Sequence, residues 1–224
     1  MAGLDSLRTL ERKSTSARIV AELRQMIIEG ELAPGEQLAE ARIAELLGVS
    51  RAPVREALQQ LVQQQLLVAA RNRGVSVVTF SSADIWEIYD ARVAIETHAA
   101  KRILDRGPQT ARACDELRTC LDELRRAVGR NDRRLVSAAD LEFHRTFVAA
   151  AQNSRLTDAY TILSAQALTC INRLELARPS GTEIIDDHQV LVDLLARSDG
   201  EGLQAAIVDH LTAAARNLTA PPAR

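Results

Sequence analysis

Gly48-Val49-Ser50-Arg51-Ala52-Pro53-Val54-Arg55-Glu56-Ala57-Leu58 is a turn feeding a helix whose two faces differ in chemistry. A serine at position 50 stands where an N-cap hydroxyl accepts from a free backbone N–H of the first turn. Pro53 is tolerated only near such a start, where a missing N–H leaves no intrahelical bond unmade. Val54, Ala57, Leu58 and Leu61 recur at helical spacing and define an inner face. Arg51, Arg55, Gln59 and Gln63 step by four along another face, and all are long hydrogen-bonding side chains. This is the layout of a helix that packs by one side and reads a nucleic-acid groove with the other.

The flanking segments extend the pattern. Ala39 to Leu47 is a short helical run whose apolar residues are Ile43, Leu46 and Leu47, and Gly48 supplies the tight turn after it. Downstream, Leu66-Leu67-Val68-Ala69 and Val75-Ser76-Val77-Val78 are β-prone runs around Arg71-Asn72-Arg73-Gly74, a composition suited to a basic hairpin tip. Leu32-Ala33-Pro34-Gly35, Gly48-Val49-Ser50-Arg51, Pro53-Val54-Arg55-Glu56-Ala57-Leu58 and Gly74 occur in the order found in one family. On these residues, positions 14 to 80 resemble the winged helix-turn-helix of the GntR family of bacterial transcription regulators. The threonine that usually follows the Ser-Arg pair is Ala52 here, which removes one hydroxyl from the phosphate-facing turn. The expected DNA-contacting residues are Arg42, Ser50, Arg51, Arg55, Gln59, Arg71, Arg73 and Gly74.

The chain of 224 residues has room for one large domain or two small ones, and its aromatic content of 3% favours aliphatic helix packing over a β-rich fold. A net charge of −2 does not mark a nucleic-acid binder, but the distribution does. Between Leu46 and Ala83 the only acid is Glu56, against Arg51, Arg55, Arg71 and Arg73. No apolar run reaches the length of a membrane span, so no membrane partner and a cytoplasmic location are expected. Cys114, Cys120 and Cys170 form an odd set without a CxxC pair and are read as small apolar residues.

Residues 1–14 read as a mobile arm, 15–80 as the DNA-binding domain, 84–218 as an all-helical domain and 219–224 as a tail. Ser16 to Glu29 is the first helix, with Ile19, Val20, Leu23, Ile27 and Ile28 inward. From Asp84 onward, breaks at Gly107-Pro108, 129–132, Asn153-Ser154, 179–181 and 198–200 leave six helices and no strand. The fold class is therefore mainly α, a winged helix-turn-helix followed by a six-helix bundle.

Within that bundle, polar residues interrupt apolar stripes. Val136, Asp140, His144, Phe147 and Ala151 share one helix face; Ile184, His188, Leu191 and Leu195 share another; Leu203, Ile207, His210 and Ala214 a third. A carboxylate on an inward stripe is costly unless paired, and with three imidazoles it makes a divalent-metal set. Asp140-Leu141-Glu142-Phe143-His144 with Asn153, His188 with Leu191, and His210-Leu211 resemble the FCD ligand-binding domain of FadR-like regulators, in its shorter VanR-like version. The resemblance implies metal ligands at Asp140, His144, His188 and His210, with Zn, Ni or Mn all compatible with the donors. His98 lacks such support and reads as structural. Arg92-x-x-Ile95-Glu96 resembles the arginine and glutamate pattern of the same domain, which implies Arg92, with Tyr89 and Glu96, as contacts for a small organic acid. The other reading of Arg92 and Glu96 is an internal pair, worth a few tenths of a kcal/mol on an exposed helix. Together these readings describe a ligand-responsive repressor, a homodimer on two-fold operator DNA. The alternative is a metal-dependent enzyme acting on a small organic acid. In a third reading the metal is only a structural staple.

Overall fold

The computed structural model describes residues 14–70, 74–173 and 180–220, and the chain divides into two compact units. One holds the described residues up to Ile27 together with Ala33–Val78; the other holds Ile28–Leu32 and the chain from Thr79. The arm and tail expected at the ends lie mostly outside the described residues, as do Arg71 and Arg73 at the hairpin tip.

The first unit comprises α1 (Thr15–Glu29), β1 (Gln37–Leu38), α2 (Glu40–Leu47), α3 (Arg51–Gln63), β2 (Leu67–Ala70) and β3 (Gly74–Val77). β3 is the central strand, antiparallel to both neighbours, pairing Val68 with Ser76 on one side and Gln37 with Ser76 on the other. β1 was not expected: two residues carry no readable alternation, and only pairing with β3 makes them a strand. The inner faces of α1 and α3 are buried as their spacing requires, through Ile19, Val20, Leu23, Ile27, Val54, Ala57, Leu58 and Leu61. α2 forms within the run Ala39 to Leu47 read from sequence. Ala44 is its buried residue, whereas Leu46 is 66% and Leu47 45% exposed within the chain. Gly48 adopts φ 62° and ψ 34°, the left-handed region that a side chain disfavours, and donates to the carbonyls of Ala44 and Glu45.

Ser50 occupies the N-cap of α3 with an extended backbone, but its side chain makes no capping hydrogen bond. The N3 position, a usual donor to such a hydroxyl, is Pro53, which has no N–H. Pro53 thus removes one of the two usual donors to the cap expected from sequence, no side-chain cap forms, and Ser50 stays exposed.

The second unit is built from α4 (Ser82–Leu104), α5 (Thr110–Gly129), α6 (Arg133–Ala150), α7 (Ser154–Arg173), α8 (Gly181–Ala196) and α9 (Gly200–Thr219), with a 3-10 turn at Gly107–Gln109. α4 packs against α6, α7 and α9, while α5 lies on α6 and α8. The core is aliphatic, with Leu117, Leu121, Leu195, Leu203 and Leu211 fully buried around Phe143 and Phe147. Cys114 and Cys170 are buried and Cys120 half-buried, all as free thiols. His98, read as structural, is exposed on α4.

Five of these helices start from a side-chain cap, among them α7, where Asn153 Oδ1 accepts from the N–H groups of Arg155 and Leu156. Ser81 and Asp84 form a reciprocal box at α4, and Ser180 and Glu183 do the same at α8. Asp132 accepts from the N–H groups of Arg134 and Leu135 at α6, and Asp199 from Gly202 at α9. Gly181, the first residue of α8, lies so close to α5 that a Cβ there would run into Val128. Caps and close approach fix where each helix begins, and hence which way its inward polar residues point. No helix among the described residues is long and apolar enough to cross a membrane.

Candidate metal centre and DNA-reading face

Three of the capped helices, α6, α8 and α9, carry the polar set. α6 contributes Asp140 and His144 one turn apart, α8 contributes His188 and α9 His210. One donor atom from each of the four lies within 4.8 Å of every other. Ligands held about 2.0–2.2 Å from a common ion stand up to about 4 Å apart across it, so the cluster needs only slight contraction to close on one.

Hydrogen bonding fixes the histidine tautomers. His188 Nδ1 lies 2.7 Å from the carbonyl of Ile184, which only accepts, so Nδ1 carries the proton and Nε2 a bare lone pair. His144 Nδ1 lies 2.7 Å from Glu96 Oε2, so its Nε2 is also bare. That Nε2 is 3.2 Å from His210 Nε2, and His210 Nδ1 lies 3.7 Å from Asp187 Oδ2. His188 Nε2 is buried and, among the described residues, has no hydrogen-bond partner, although Asp140 Oδ1 lies 3.3 Å away. A lone pair facing a carboxylate in a buried site is repulsive until a cation or proton stands between them. The electrostatics agree. Burial alone would push the His188 pKa down, but Asp140 and the Ile184 carbonyl outweigh it and raise it. Burial alone would raise the Asp140 pKa, yet the surrounding imidazoles hold it well below the usual carboxylate range. The donors thus fit a divalent ion, and His144 and His188 have oriented hydrogen-bond partners of the kind metal sites use.

Glu96 is placed differently from its expected role as an effector contact. Its Oε2 takes His144 Nδ1, while Oε1 accepts from Tyr160 Oη at 2.6 Å and Arg92 Nε at 3.2 Å. Both oxygens are therefore occupied within the protein. Nor is the Arg92–Glu96 pair the exposed helix pair considered from sequence, because both residues are 1% exposed. Burial favours the neutral acid, but His144 and Arg92 beside Glu96 outweigh it and hold its pKa at about 2. Burial lowers the His144 pKa to about 4 despite Glu96, keeping the imidazole neutral. The Arg92 guanidinium lies over the Tyr89 ring, 4.8 Å from its centroid, and its buried Nη2 has no partner among the described residues. Tyr160 and Asp187 were not singled out from sequence. One of only two tyrosines in the chain, at an inward position of a helix, was the available signal for Tyr160.

On the first unit, Arg51, Arg55 and Gln59 are exposed on α3, and Gly74 opens the wing strand β3 with φ 76°. Arg55 is gripped by Glu40 through Nε at 2.9 Å and Nη2 at 2.7 Å, and Arg42 is paired with Glu45 at 3.0 Å. The acid-poor stretch from Leu46 to Ala83 thus has one acid facing it from α2, Glu40, which the linear charge count did not include.

A winged helix-turn-helix with arginines on its second helix, joined to a helical bundle holding a buried ligand-type cluster, defines the class of a DNA-binding regulator. Comparison with known proteins gives the same class. Residues 15–77 match the model for bacterial regulatory proteins of the gntR family, and residues 87–213 match the FCD domain. The chain belongs to the GntR family of transcriptional regulators and carries an FCD domain. It is 29% identical over 210 residues to the "Probable D-xylose utilization operon transcriptional repressor" of Paenarthrobacter nicotinovorans, covering 90% of this chain and 89% of that one. It is 29% identical over 197 residues to the gluconate operon transcriptional repressor of Bacillus subtilis (strain 168), covering 85% and 79%. A GntR regulator from Rhodococcus sp. RHA1 superposes with a TM-score of 0.78 at 25% identity, covering 92% of this chain and 98% of that one. Family and relatives are regulators, which sets aside the metal-dependent enzyme considered from sequence.

Proposed function

We propose that this regulator is an effector-responsive repressor that binds two-fold operator DNA as a homodimer in the cytoplasm. In this reading residues 15–80 contact the duplex through Arg42, Ser50, Arg51, Arg55, Gln59, Arg71, Arg73 and Gly74. The uncapped Ser50 hydroxyl is free for a phosphate, and Arg55 and Gln59 are set for base edges. Asp140, His144, His188 and His210 hold one Zn, Ni or Mn ion, which supplies a Lewis-acidic anchor for an anionic oxygen. Arg92 offers its unpartnered Nη2 to the same small organic acid, with Tyr89 backing the guanidinium and Glu96 orienting both Arg92 and His144. The relatives' printed names, repressors of sugar and sugar-acid operons, support repression and a small polar metabolite as effector. Ligand binding shifts operator affinity only as far as it favours one arrangement of the DNA-binding units over the other.

The observation that carries this reading is the pair of unsatisfied buried atoms, His188 Nε2 and Arg92 Nη2. One is a lone pair that calls for a cation and the other a donor that calls for an anion. Elemental analysis of the purified full chain should find about one divalent ion per chain, and mass spectrometry of the same sample a co-purified organic acid. His188→Ala with His210→Ala should abolish the metal, whereas Arg92→Ala should keep the metal and lose the acid. Metal retained by the double variant, or acid retained by Arg92→Ala, refutes the corresponding half.

A further inference from the structure

Arg55 is gripped along one edge only. A guanidinium has five N–H donors in a rigid fork. Glu40 engages the side edge, Nε to Oε2 and Nη2 to Oε1, in a bidentate pair that bridges α2 and α3. The end edge, made of one Nη1 hydrogen and the second Nη2 hydrogen, is not engaged by Glu40. That end edge is the fork that fits the O6 and N7 acceptors of guanine. Despite the pairing, the Arg55 side chain remains 62% exposed, while Glu40 is 26% exposed. The Arg42–Glu45 pair is different: one contact, three residues apart on one helix, with both side chains more than 60% exposed, an ordinary surface pair.

An acid on a DNA-facing surface repels phosphate, so its placement there calls for a compensating role. Glu40 lies within the field of Arg51 as well as Arg55, and the hydrogen bond from Arg55 holds its carboxyl below the usual range. The acid is thus flanked by two cations and leaves the face positive.

We propose that Glu40 is a positioning and specificity-determining residue in DNA recognition, clamping the side edge of Arg55 so that its end edge is presented to a base. The inference rests on the reading that Arg55 contacts DNA. A free arginine loses side-chain freedom when it docks, and a clamped one has already lost it, so the gain falls on the specific complex. Non-specific binding, which depends on charge near phosphates rather than on the direction of one fork, gains nothing from the clamp. The rival role is masking, in which Glu40 withholds Arg55 and must be displaced by DNA.

Full-length Glu40→Gln, Glu40→Asp, Arg55→Ala and Glu40→Gln/Arg55→Ala are compared with wild type by fluorescence anisotropy. The probes are a duplex selected by the wild-type chain from a random-sequence pool and a shuffled duplex of the same composition. Arg55→Ala should weaken the selected duplex by about five- to 150-fold. Glu40→Gln and Glu40→Asp should each weaken it by about three- to tenfold, the latter because its shorter arm fails to reach the fork. Glu40→Gln should leave the shuffled duplex unchanged or bound more tightly, and should add no loss in the Arg55→Ala background. Tighter or unchanged binding of the selected duplex by Glu40→Gln overturns the clamp. A full further loss in the double variant overturns it as well, because Glu40 would then act independently of Arg55. No effect of Arg55→Ala removes instead the reading on which the clamp rests.

Discussion

Replacing Glu96 by Gln tests whether the centre of the FCD domain is organised around one carboxylate. Glu96 is the countercharge to a guanidinium that is 1% exposed, and it accepts from His144, Tyr160 and Arg92 together. Its pKa of about 2, against an ordinary value of 4.5, is a gap of about 2.5. At about 1.36 kcal/mol for each pH unit, that gap corresponds to about 3 kcal/mol of folding stability at neutral pH. A second route gives the same scale: removing one partner of a buried ion pair costs about 3–5 kcal/mol. Glutamine keeps the shape but brings an NH2 group. If that group faces His144, it meets the Nδ1 proton; if it faces Arg92, it meets the Nε proton. The first clash drives the His144 proton onto Nε2, the atom that faces the metal ligands. Thermal melts of chelator-treated protein followed by circular dichroism should therefore fall by about 6–12 °C, at about 2–4 °C for each kcal/mol in a chain of this size. Metal affinity, measured by competition with a chromophoric chelator, should fall about 10–100-fold. In an Arg92→Met background the same change should lower the melting temperature much less, because no guanidinium is left stranded. A Glu96→Gln protein that melts within about 2 °C of wild type with unchanged metal affinity would falsify this account of the centre.

Stability of the metal-free protein should decline in acid, as read by urea titration at pH 7, 5 and 3.5. The folded pKa values of His144 (about 4, from 6.5) and Glu96 (about 2, from 4.5) are both depressed, so the unfolded chain binds more protons. The His144 contribution is complete above about pH 6.5 and lost towards 4, and the Glu96 contribution is lost between about 4.5 and 2. His188, raised by Asp140, acts with the opposite sign, but its contribution is already complete below about pH 6.5 and does not offset the loss at lower pH. A flat profile from pH 7 to 3.5 refutes the assignment. Gly181→Ala should destabilise the protein by about 1–3 kcal/mol, the range for forcing a group into packed space. Val128→Ala should restore part of that loss, because Val128 is what the new methyl meets; no recovery in the double variant would place the strain elsewhere.

The DNA-binding half was legible in the sequence because its information is local. Helical spacing at Val54, Ala57, Leu58 and Leu61, a glycine with the freedom to turn at position 48, and apolar runs around Gly74 each act over a few residues. The same holds for the metal candidates, since Asp140 and His144 one turn apart and His188 and His210 on apolar stripes announce inward-facing polar groups. Where local rules met each other, sequence reading failed. Ser50 looked like a cap, but Pro53 takes away the N3 donor and no side-chain cap forms.

What the tertiary structure alone decided lies at separations no periodicity reaches. Glu96 and His144 are 48 residues apart, Arg92 and Tyr160 are 68, and Glu40 and Arg55 are 15 and on different helices. Spacing along a helix tells which way a side chain points, not what it meets. That Arg92 and Glu96 form a buried pair rather than a solvated one depends on α6, α7 and α9 closing over α4. Burial multiplies the strength of every charge interaction there, and it makes a missing partner costly. The tautomers that leave His144 and His188 with bare Nε2 atoms come from Glu96 and the carbonyl of Ile184. A sequence lists the histidines, but only the packed neighbours determine which nitrogen holds the proton.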